Sequence, residues 1–167
     1  MHVQLSSEPP RARADLGEPA VRLLFLDFDG VLHSTRADLD HSYFCWLPIL
    51  ERLLLNFPDV MLVVHSTWRY EYTDDELRKF LGSLGDRFIG SAPRGPREQV
   101  IEMVLQANKG KVTNHLVLDD APEEFPEGRL NTVFLDELRG IGSARDYAPL
   151  VVWLVSTDPA KGDGNER

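Results

Sequence analysis

The chain alternates between short runs of consecutive apolar residues and longer segments in which apolar residues recur every three or four positions. Consecutive apolar runs are typical of strands buried on both faces, whereas the recurrent spacing predicts amphipathic helices. Thr73 and Glu76 add a capping box at the start of one such helix. The predicted strands are residues 21–27, 60–64, 115–118 and 132–135, the predicted helices are 47–56, 74–84 and 96–107, and residues 147–155 fit either element.

Helices that connect buried strands imply a parallel sheet that is covered on both faces. The predicted fold class is therefore α/β, a three-layer Rossmann-like domain with a central parallel sheet. This single domain occupies residues 21–155. Residues 1–20 and 156–167 are rich in proline and charge and lack hydrophobic periodicity, so we expect a disordered N-terminal segment and a disordered C-terminal tail.

Composition and charge narrow the class of protein without changing the predicted fold. No apolar stretch among the 167 residues reaches membrane-spanning length and no signal peptide is recognisable, so a cytoplasmic protein without a membrane partner is expected. The net charge of −9 argues against a broad nucleic-acid-binding surface, although Arg69, Arg94 and Arg97 could form a local basic rim instead of three solvated charges. His65 and Cys45 have no partner at metal-binding or nucleophilic spacing and are expected to be structural, with Cys45 as a buried thiol.

Two of the predicted strands end in pairs of carboxylates. Asp27 and Asp29 follow the first strand and lead into a turn at Gly30, while Asp119 and Asp120 follow a later strand. Ligands of parallel α/β sheets bind beyond the carboxyl ends of the strands, so these four side chains are expected to converge. Carboxylates held close together repel one another unless a cation neutralises them, and oxygen ligands favour Mg²⁺. The sequence therefore predicts a magnesium site, with an ordinary Asp-Gly turn as the alternative for the first pair.

Hydroxyl and cationic residues lie between the two acidic pairs in the sequence. Ser66 and Thr67 follow the second predicted strand, where either hydroxyl could donate to a phosphate oxygen, although a helix N-cap is a more frequent use of such residues. Arg97, or Arg94 in its place, opens the next helix and could bridge a nucleophilic carboxylate and a phosphate. Strand-end acids that occur twice, with a hydroxyl and a cation between them in the sequence, are hard to explain as packing.

The four motifs, in this order, resemble those of the haloacid dehalogenase-like (HAD) phosphatase superfamily across roughly residues 22–135. The Ser-Thr-Trp-Arg sequence at 66–69 and the Leu-Asp-Asp sequence at 118–120 are similar to the HAD domains of the RNA-repair proteins known as Swiss army knife proteins. Two positions depart from the superfamily pattern. The cation is an arginine where lysine is commoner, and His65 stands where a small residue is usual.

The resemblance implies a role for each candidate residue. Asp27 would be the nucleophile that forms an aspartyl-phosphate, and Asp29 would protonate the leaving oxygen and later deprotonate the attacking water. Mg²⁺ would be held by Asp27, by the Asp29 backbone carbonyl and by Asp119 or Asp120. The phosphate oxygens would be held by Ser66 or Thr67, by Arg97 and by backbone amides of the turn that includes Gly30.

The substrate class follows from the spacing of the motifs. No interval is long enough for a separate cap domain; residues 33–42 are the only stretch that could form a partial lid, and Phe88 and Ile89 are expected in a short connection. Capless members of the superfamily tend to have open sites, so the resemblance implies a large phosphorylated substrate such as a nucleic-acid end or a phosphoprotein. Two other functions stay open, namely a receiver-like phosphoacceptor, whose motifs have a different order, and a catalytically silent phosphate-binding or scaffold domain.

Overall fold

A five-stranded sheet forms the centre of the computed structural model, which describes residues 20–164 of the chain. The strands are β1 (Val21–Leu26), β2 (Val60–Val64), β3 (Phe88–Ser91), β4 (Val112–Asp119) and β5 (Thr132–Phe134). Their order across the sheet is β3-β2-β1-β4-β5, and every neighbouring pair is parallel. The prediction of an α/β domain with a central parallel sheet is confirmed.

The central strand β1 is buried along its whole length, and its side chains alternate between the two faces of the sheet. Leu24 and Leu26 belong to one apolar cluster, whereas Leu23 and Phe25 belong to a second. Apolar clusters on both faces are what a three-layer Rossmann-like fold requires. Because both faces of β1 need apolar side chains, this strand is a continuous apolar run in the sequence.

Five α-helices lie within the part of the chain that the structure describes: α1 (Ala37–Asp40), α2 (Leu47–Leu54), α3 (Asp74–Phe80), α4 (Arg97–Ala107) and α5 (Ala144–Ser156). None of these helices is long and apolar enough to cross a bilayer. The capping box predicted at Thr73 and Glu76 is present at the start of α3. Helix α3 ends earlier than predicted, because Gly82 takes a left-handed conformation (φ 55°) and the chain continues as a 3₁₀ helix, Gly82–Arg87.

The edge strand β3 corrects the prediction for Phe88 and Ile89, which were expected in a connection. Phe88 lies beside Leu62, and Ser91 lies beside Val64, so the segment extends the sheet beyond β2. A four-residue segment that contains glycine and serine lacks the apolar run by which buried strands are recognised. The strand is therefore defined by its pairing with β2 and not by its own sequence.

The C-terminal segment also differs from the prediction. Helix α5 continues to Ser156, and a 3₁₀ helix follows at Pro159–Gly164, where a disordered tail was expected. The Thr157 hydroxyl accepts a hydrogen bond of 2.8 Å from the buried Arg22 of β1. This contact ties the segment to the central sheet. Residues 1–19, most of the predicted disordered N-terminal segment, lie outside the described residues.

The connection between β1 and α2 contains the candidate lid and Cys45. Residues 33–42 include only the single-turn helix α1, of which Ala37 is buried. Cys45 is exposed, so the expectation of a buried thiol is wrong. Desolvation raises the pKa of this thiol, which disfavours the thiolate form that a nucleophile needs.

Candidate active site

Strands β1 and β4 bring three carboxylates together at the carboxyl end of the sheet. Leu26 lies beside Leu118 in the parallel register. Asp27, directly after β1, and Asp119, the last residue of β4, are therefore neighbours across the sheet. Asp27 is 2% exposed and Asp119 is fully buried. Oxygen atoms of Asp27, Asp119 and Asp120 all lie within 4.8 Å of one another. The predicted approach of Asp27 and Asp119 is confirmed.

Arg97, the first residue of α4, supplies the positive charge next to these carboxylates. Its Nη1 donates to Asp27 Oδ2 at 2.9 Å and to Asp119 Oδ2 at 2.5 Å. Arg94 instead lies over the Tyr70 ring, 4.8 Å from its centroid, and donates to the Tyr70 carbonyl. Of the two arginines proposed for this position, Arg97 therefore meets the acidic group.

One arginine does not neutralise three carboxylates, and the pKa values show the excess negative charge. Burial, followed by the charges of Asp27 and Asp119, raises the pKa of Asp120 to about 7. Burial also raises the pKa of Asp27. For Asp119, burial acts in the same direction, but hydrogen bonding to His65 and the charge of Arg97 lower its pKa. The group therefore holds a proton near neutral pH unless a cation takes its place.

His65 is part of this site, although the sequence predicted a structural residue without a role there. Its Nε2 lies 2.6 Å from Asp119 Oδ2, and both side chains are fully buried. An ionised carboxylate only accepts, so the ring donates through Nε2, while its buried Nδ1 has no hydrogen-bond partner among the described residues. Because 54 positions separate the two residues, no local spacing could have revealed the pair.

Asp29 does not join the acidic group with its side chain, so the expected convergence of four carboxylates reduces to three. Its Oδ1 lies 2.8 Å from His33 Nε2, and its Oδ2 accepts from the Trp68 indole at 2.9 Å. The Phe44 amide donates to His33 Nδ1 at 3.2 Å, which leaves Nε2 as the protonated nitrogen that donates to Asp29. Hydrogen bonding to His33 is the largest influence on the pKa of Asp29 and lowers it. Metal binding by the Asp29 backbone carbonyl stays a prediction.

Gly30 has a packing role at the site, and its predicted use for phosphate stays a prediction. Its amide donates to the His33 carbonyl at 2.8 Å, and the Phe28 amide donates to Asp27 Oδ1 at 2.8 Å, so both N–H groups have acceptors within the turn. Gly30 has φ 72°, and a Cβ at this position would lie 2.1 Å from Asp120 Oδ2. Glycine is required here because the Asp120 carboxylate packs directly against the backbone.

Ser66 and Thr67 separate clearly in the structure. Ser66 is fully buried at the end of β2, and its hydroxyl accepts a hydrogen bond from the Trp68 amide at 3.3 Å. It thereby caps the 3₁₀ helix Thr67–Tyr70, as the alternative interpretation expected. Thr67 is exposed. Of the two hydroxyls, Ser66 lies in the buried strand-end position, and its use for phosphate stays a prediction.

Arg69 joins two of the loops around the site and is not part of an exposed rim. It is 4% exposed, and its guanidinium donates to the carbonyls of His65, Ser66, Pro93 and Gly95. These carbonyls lie on the loops that follow β2 and β3. Arg69 therefore fixes the position of Ser66 relative to the start of α4.

A cleft lined by aromatic side chains opens beside Asp29, and we call it the aromatic cleft. Its volume is about 570 Å³. No sequence pattern predicted this cleft, because its walls come from the connection before α2, from the 3₁₀ helix after β2 and from α3. It is lined by Tyr43, Phe44, Trp68, Tyr72 and Phe80, with Asp29 and Glu71 as the acidic residues.

The comparisons with known proteins agree with this arrangement. The model of the HAD domain in Swiss Army Knife RNA repair proteins matches residues 23–145, which include every residue of the acidic group and of the aromatic cleft. No curated protein and no solved structure matches the chain. The chain therefore belongs to the family of HAD domains in Swiss Army Knife RNA repair proteins, a membership that indicates a hydrolase of the phosphatase type.

Proposed function

We propose that the protein is a magnesium-dependent phosphomonoester hydrolase that works through an aspartyl-phosphate intermediate on Asp27. One observation carries the proposal, namely the three carboxylates within 4.8 Å at the carboxyl end of β1 and β4 with Arg97 beside them. This is the position at which parallel α/β sheets bind ligands. Negative charge that the protein leaves uncompensated there supports a cation as the occupant. The cation, together with Arg97, would in turn attract an anionic phosphoryl group.

The residues present fit magnesium. Asp27, Asp119 and Asp120 offer oxygen donors alone, and two of the three are buried, so their charge attracts a small hard cation strongly. We therefore assign these three side chains as the groups that would hold the ion. When bound, Mg²⁺ neutralises charge on the transferring phosphoryl group.

The side chains then divide the chemistry between two steps. An Asp27 oxygen forms a bond to phosphorus while the bond from phosphorus to the leaving oxygen breaks. Water subsequently attacks phosphorus, which releases inorganic phosphate and restores the Asp27 carboxylate. Arg97 and Ser66 hold the phosphoryl oxygens in both steps.

Asp29 is the acid and base of this scheme. In the first step it gives a proton to the leaving oxygen, and in the second it takes a proton from water. His33 and Trp68 donate to both of its oxygens and keep it ionised, which suits the second step better than the first. The first step should therefore be fastest with leaving groups that need little protonation.

The proposed substrate is a large phosphorylated molecule, either a nucleic-acid end or a phosphoprotein. Within residues 20–164, the connection from β1 to β2 contains only α1 and α2, and the connection from β2 to α4 contains α3, short 3₁₀ helices and β3. Neither connection provides a cap over the acidic group. This open arrangement supports access by the end of a polymer.

A second candidate is a domain that binds phosphate or accepts a phosphoryl group without turnover. One observation favours it: Asp29, the proposed acid, is held in its ionised form by two hydrogen bonds. A receiver-like phosphoacceptor is the weaker version of this alternative, because receivers carry the acidic pair before the acceptor and this chain carries it afterwards.

Steady-state hydrolysis of phosphomonoesters tests the proposal. We expect Mg²⁺-dependent turnover of an aryl phosphate by the wild type, no turnover by Asp27→Asn and none in EDTA, because nucleophile and cation are both required. Asp86→Asn, which changes an exposed aspartate outside the acidic group and the aromatic cleft, is the matched control. Full activity of Asp27→Asn or full activity in EDTA would contradict the mechanism. Inactivity of the folded wild type toward a broad phosphomonoester panel would favour the silent domain.

A further inference from the structure

The aromatic cleft adjoins the proposed reaction site through one shared residue, Asp29. Asp29, the group that protonates the leaving oxygen, lines the cleft directly. The Trp68 indole donates to Asp29 and also forms one wall. A substrate whose phosphorus lies at Asp27 therefore places its leaving group at the entrance of this cleft.

The chemical character of the walls restricts what the cleft can hold. Five aromatic side chains form most of its surface, and their rings contact one another, as in the pairs Tyr43–Trp68 and Tyr72–Phe80. Aromatic faces bind planar rings by stacking, and such stacking accepts any base. An apolar, planar portion of the leaving group is therefore favoured over a sugar or an aliphatic chain.

The charges at the cleft restrict the occupant further. Among residues 20–164, the only ionisable side chains that line it besides the tyrosines are Asp29 and Glu71, so no lysine or arginine of this part of the chain lines it. An anionic group inside the cleft would be repelled, whereas ring N–H groups could donate to the exposed Glu71 carboxylate. A nucleobase combines a planar ring with such donors.

The size of the cleft separates a nucleobase from the smaller ring of phosphotyrosine. A volume of about 570 Å³ is several times that of one six-membered ring and accommodates a base together with its sugar. The tyrosine ring is bonded directly to the leaving oxygen, so it would fill only the part nearest Asp29. It would also offer Glu71 no N–H group.

The backbone at the cleft is held in a costly conformation. Phe44 has φ 57°, a left-handed value that bulky residues rarely adopt. Its amide donates to His33 Nδ1, and its ring lies 5.4 Å from that of Trp68. Strained backbone conformations of this kind cluster at functional sites, and here the conformation of Phe44 sets the position of its ring in the cleft wall.

From these observations we propose that the aromatic cleft binds the nucleobase of a nucleoside phosphate whose phosphoryl group reacts at Asp27. This inference rests on the proposed function, because the leaving group defines the cleft. The chemistry recognised is the same for a free nucleoside and for the terminal unit of a polynucleotide, and for a phosphate on the 3′ or the 5′ oxygen.

The test compares kcat/KM for substrates with and without a base, in Mg²⁺. Adenosine 3′-phosphate and adenosine 5′-phosphate carry the base, ribose 5-phosphate lacks it, and phosphotyrosine carries the competing ring. We expect the better adenosine phosphate to exceed ribose 5-phosphate by roughly 5- to 150-fold, the range for stacking of one base. Tyr43→Ala should reduce this ratio at least ~5-fold, because Tyr43 is 49% exposed at the cleft and its truncation removes a stacking face without opening the core.

Two further variants exclude trivial causes. Tyr43→Phe keeps the ring and should keep the ratio, whereas Val152→Ala truncates an exposed apolar side chain of α5 outside the cleft and should leave both ratio and activity unchanged. Because an aryl leaving group reacts faster whatever the cleft binds, phosphotyrosine is compared with the adenosine phosphates by KM. Equal kcat/KM for adenosine phosphates and ribose 5-phosphate, an unchanged ratio in Tyr43→Ala, or a lower KM for phosphotyrosine than for either adenosine phosphate would each overturn the inference.

Binding separates this inference from the proposed function. If the wild type hydrolyses neither the four compounds nor any member of the broad phosphomonoester panel, the proposed function fails, but calorimetric titration with adenosine 5′-phosphate and ribose 5-phosphate still tests the cleft. Tighter binding of the adenosine compound that weakens in Tyr43→Ala supports the cleft assignment. Equal affinities for the two compounds refute it.

Discussion

Replacing Asp120 by asparagine should stabilise the metal-free protein at pH 8. Asp120 lies with Asp27 and Asp119 in one acidic group, and its Oδ2 packs against the Gly30 backbone. Burial and the two neighbouring carboxylates raise its pKa from 3.8 to about 7. Asparagine has the shape of the protonated acid and can donate to Asp27, so it removes the unfavourable charge and keeps the packing.

The magnitude follows from the shift in pKa. About three pKa units at ~1.4 kcal/mol each would give ~4 kcal/mol, but Asp120 is only half-buried, and solvent screening reduces this to roughly 1–2 kcal/mol. For a protein of this size, that difference raises Tm by roughly 2–8 °C. A site that binds a cation holds its carboxylates close together, so removing one of these charges is expected to stabilise the metal-free protein.

The pH dependence has a definite sign. The pKa of Asp120 is higher in the folded protein than in the unfolded chain, so the folded state binds the extra proton and loses stability as the pH rises from ~4 to ~7. Above that range both states are ionised and the loss is complete. The advantage of Asp120→Asn should therefore be small at pH 4, grow up to pH 7 and stay constant at pH 8.

Thermal unfolding followed by circular dichroism in EDTA measures this effect at pH 4, 6 and 8. Asp86→Asn, a change of an exposed aspartate, controls for the loss of one negative charge from an acidic protein. Added Mg²⁺ should stabilise the wild type more than Asp120→Asn, because the variant has one carboxylate fewer to offer. An Asp120→Asn Tm equal to or below that of the wild type at pH 8 in EDTA would refute the reasoning.

Two further predictions concern the same site. Asp29→Asn should slow hydrolysis of an alkyl phosphate more than that of an activated aryl phosphate, because only the alkyl leaving oxygen depends strongly on protonation; steady-state rates for both substrates measure this, and equal losses would argue against an acid role. Gly30→Ala should destabilise the protein by more than the ~1–2 kcal/mol of left-handed strain, because its Cβ would also displace Asp120. Gly128→Ala, with φ 73° and open space around it, isolates the strain, so equal denaturation midpoints for the two variants would contradict the predicted clash.

The sequence by itself determined the fold class and the position of the acidic group. Strands buried on both faces must be apolar throughout, so β1 and β2 are visible as continuous runs. Carboxylates directly after such strands have to lie at the carboxyl edge of a parallel sheet, which places Asp27 and Asp119 side by side. The local pattern and the topology agree here because a strand that is buried on both faces must be apolar at consecutive positions, and this run is visible in the sequence.

Pairing between distant segments decided what local pattern could not. Strand β3 exists because β2 offers it an edge, and His65 meets Asp119 across 54 positions. The sequence left Arg97 and Arg94 as alternatives, since both lie near the start of α4. In the folded chain Arg97 donates to Asp27 and Asp119, whereas Arg94 packs over the Tyr70 ring. Each of these outcomes depends on which surfaces meet when the sheet forms.

The direction of side chains was also a tertiary outcome. Asp29 follows Asp27 by two positions, yet its carboxylate leaves the acidic group because His33 and the Trp68 indole donate to it. The aromatic cleft arises in the same way, from rings that lie far apart in the sequence and look like ordinary core residues there. Sequence fixes which groups reach the edge of the sheet, whereas hydrogen-bond donors from other segments decide where each group points.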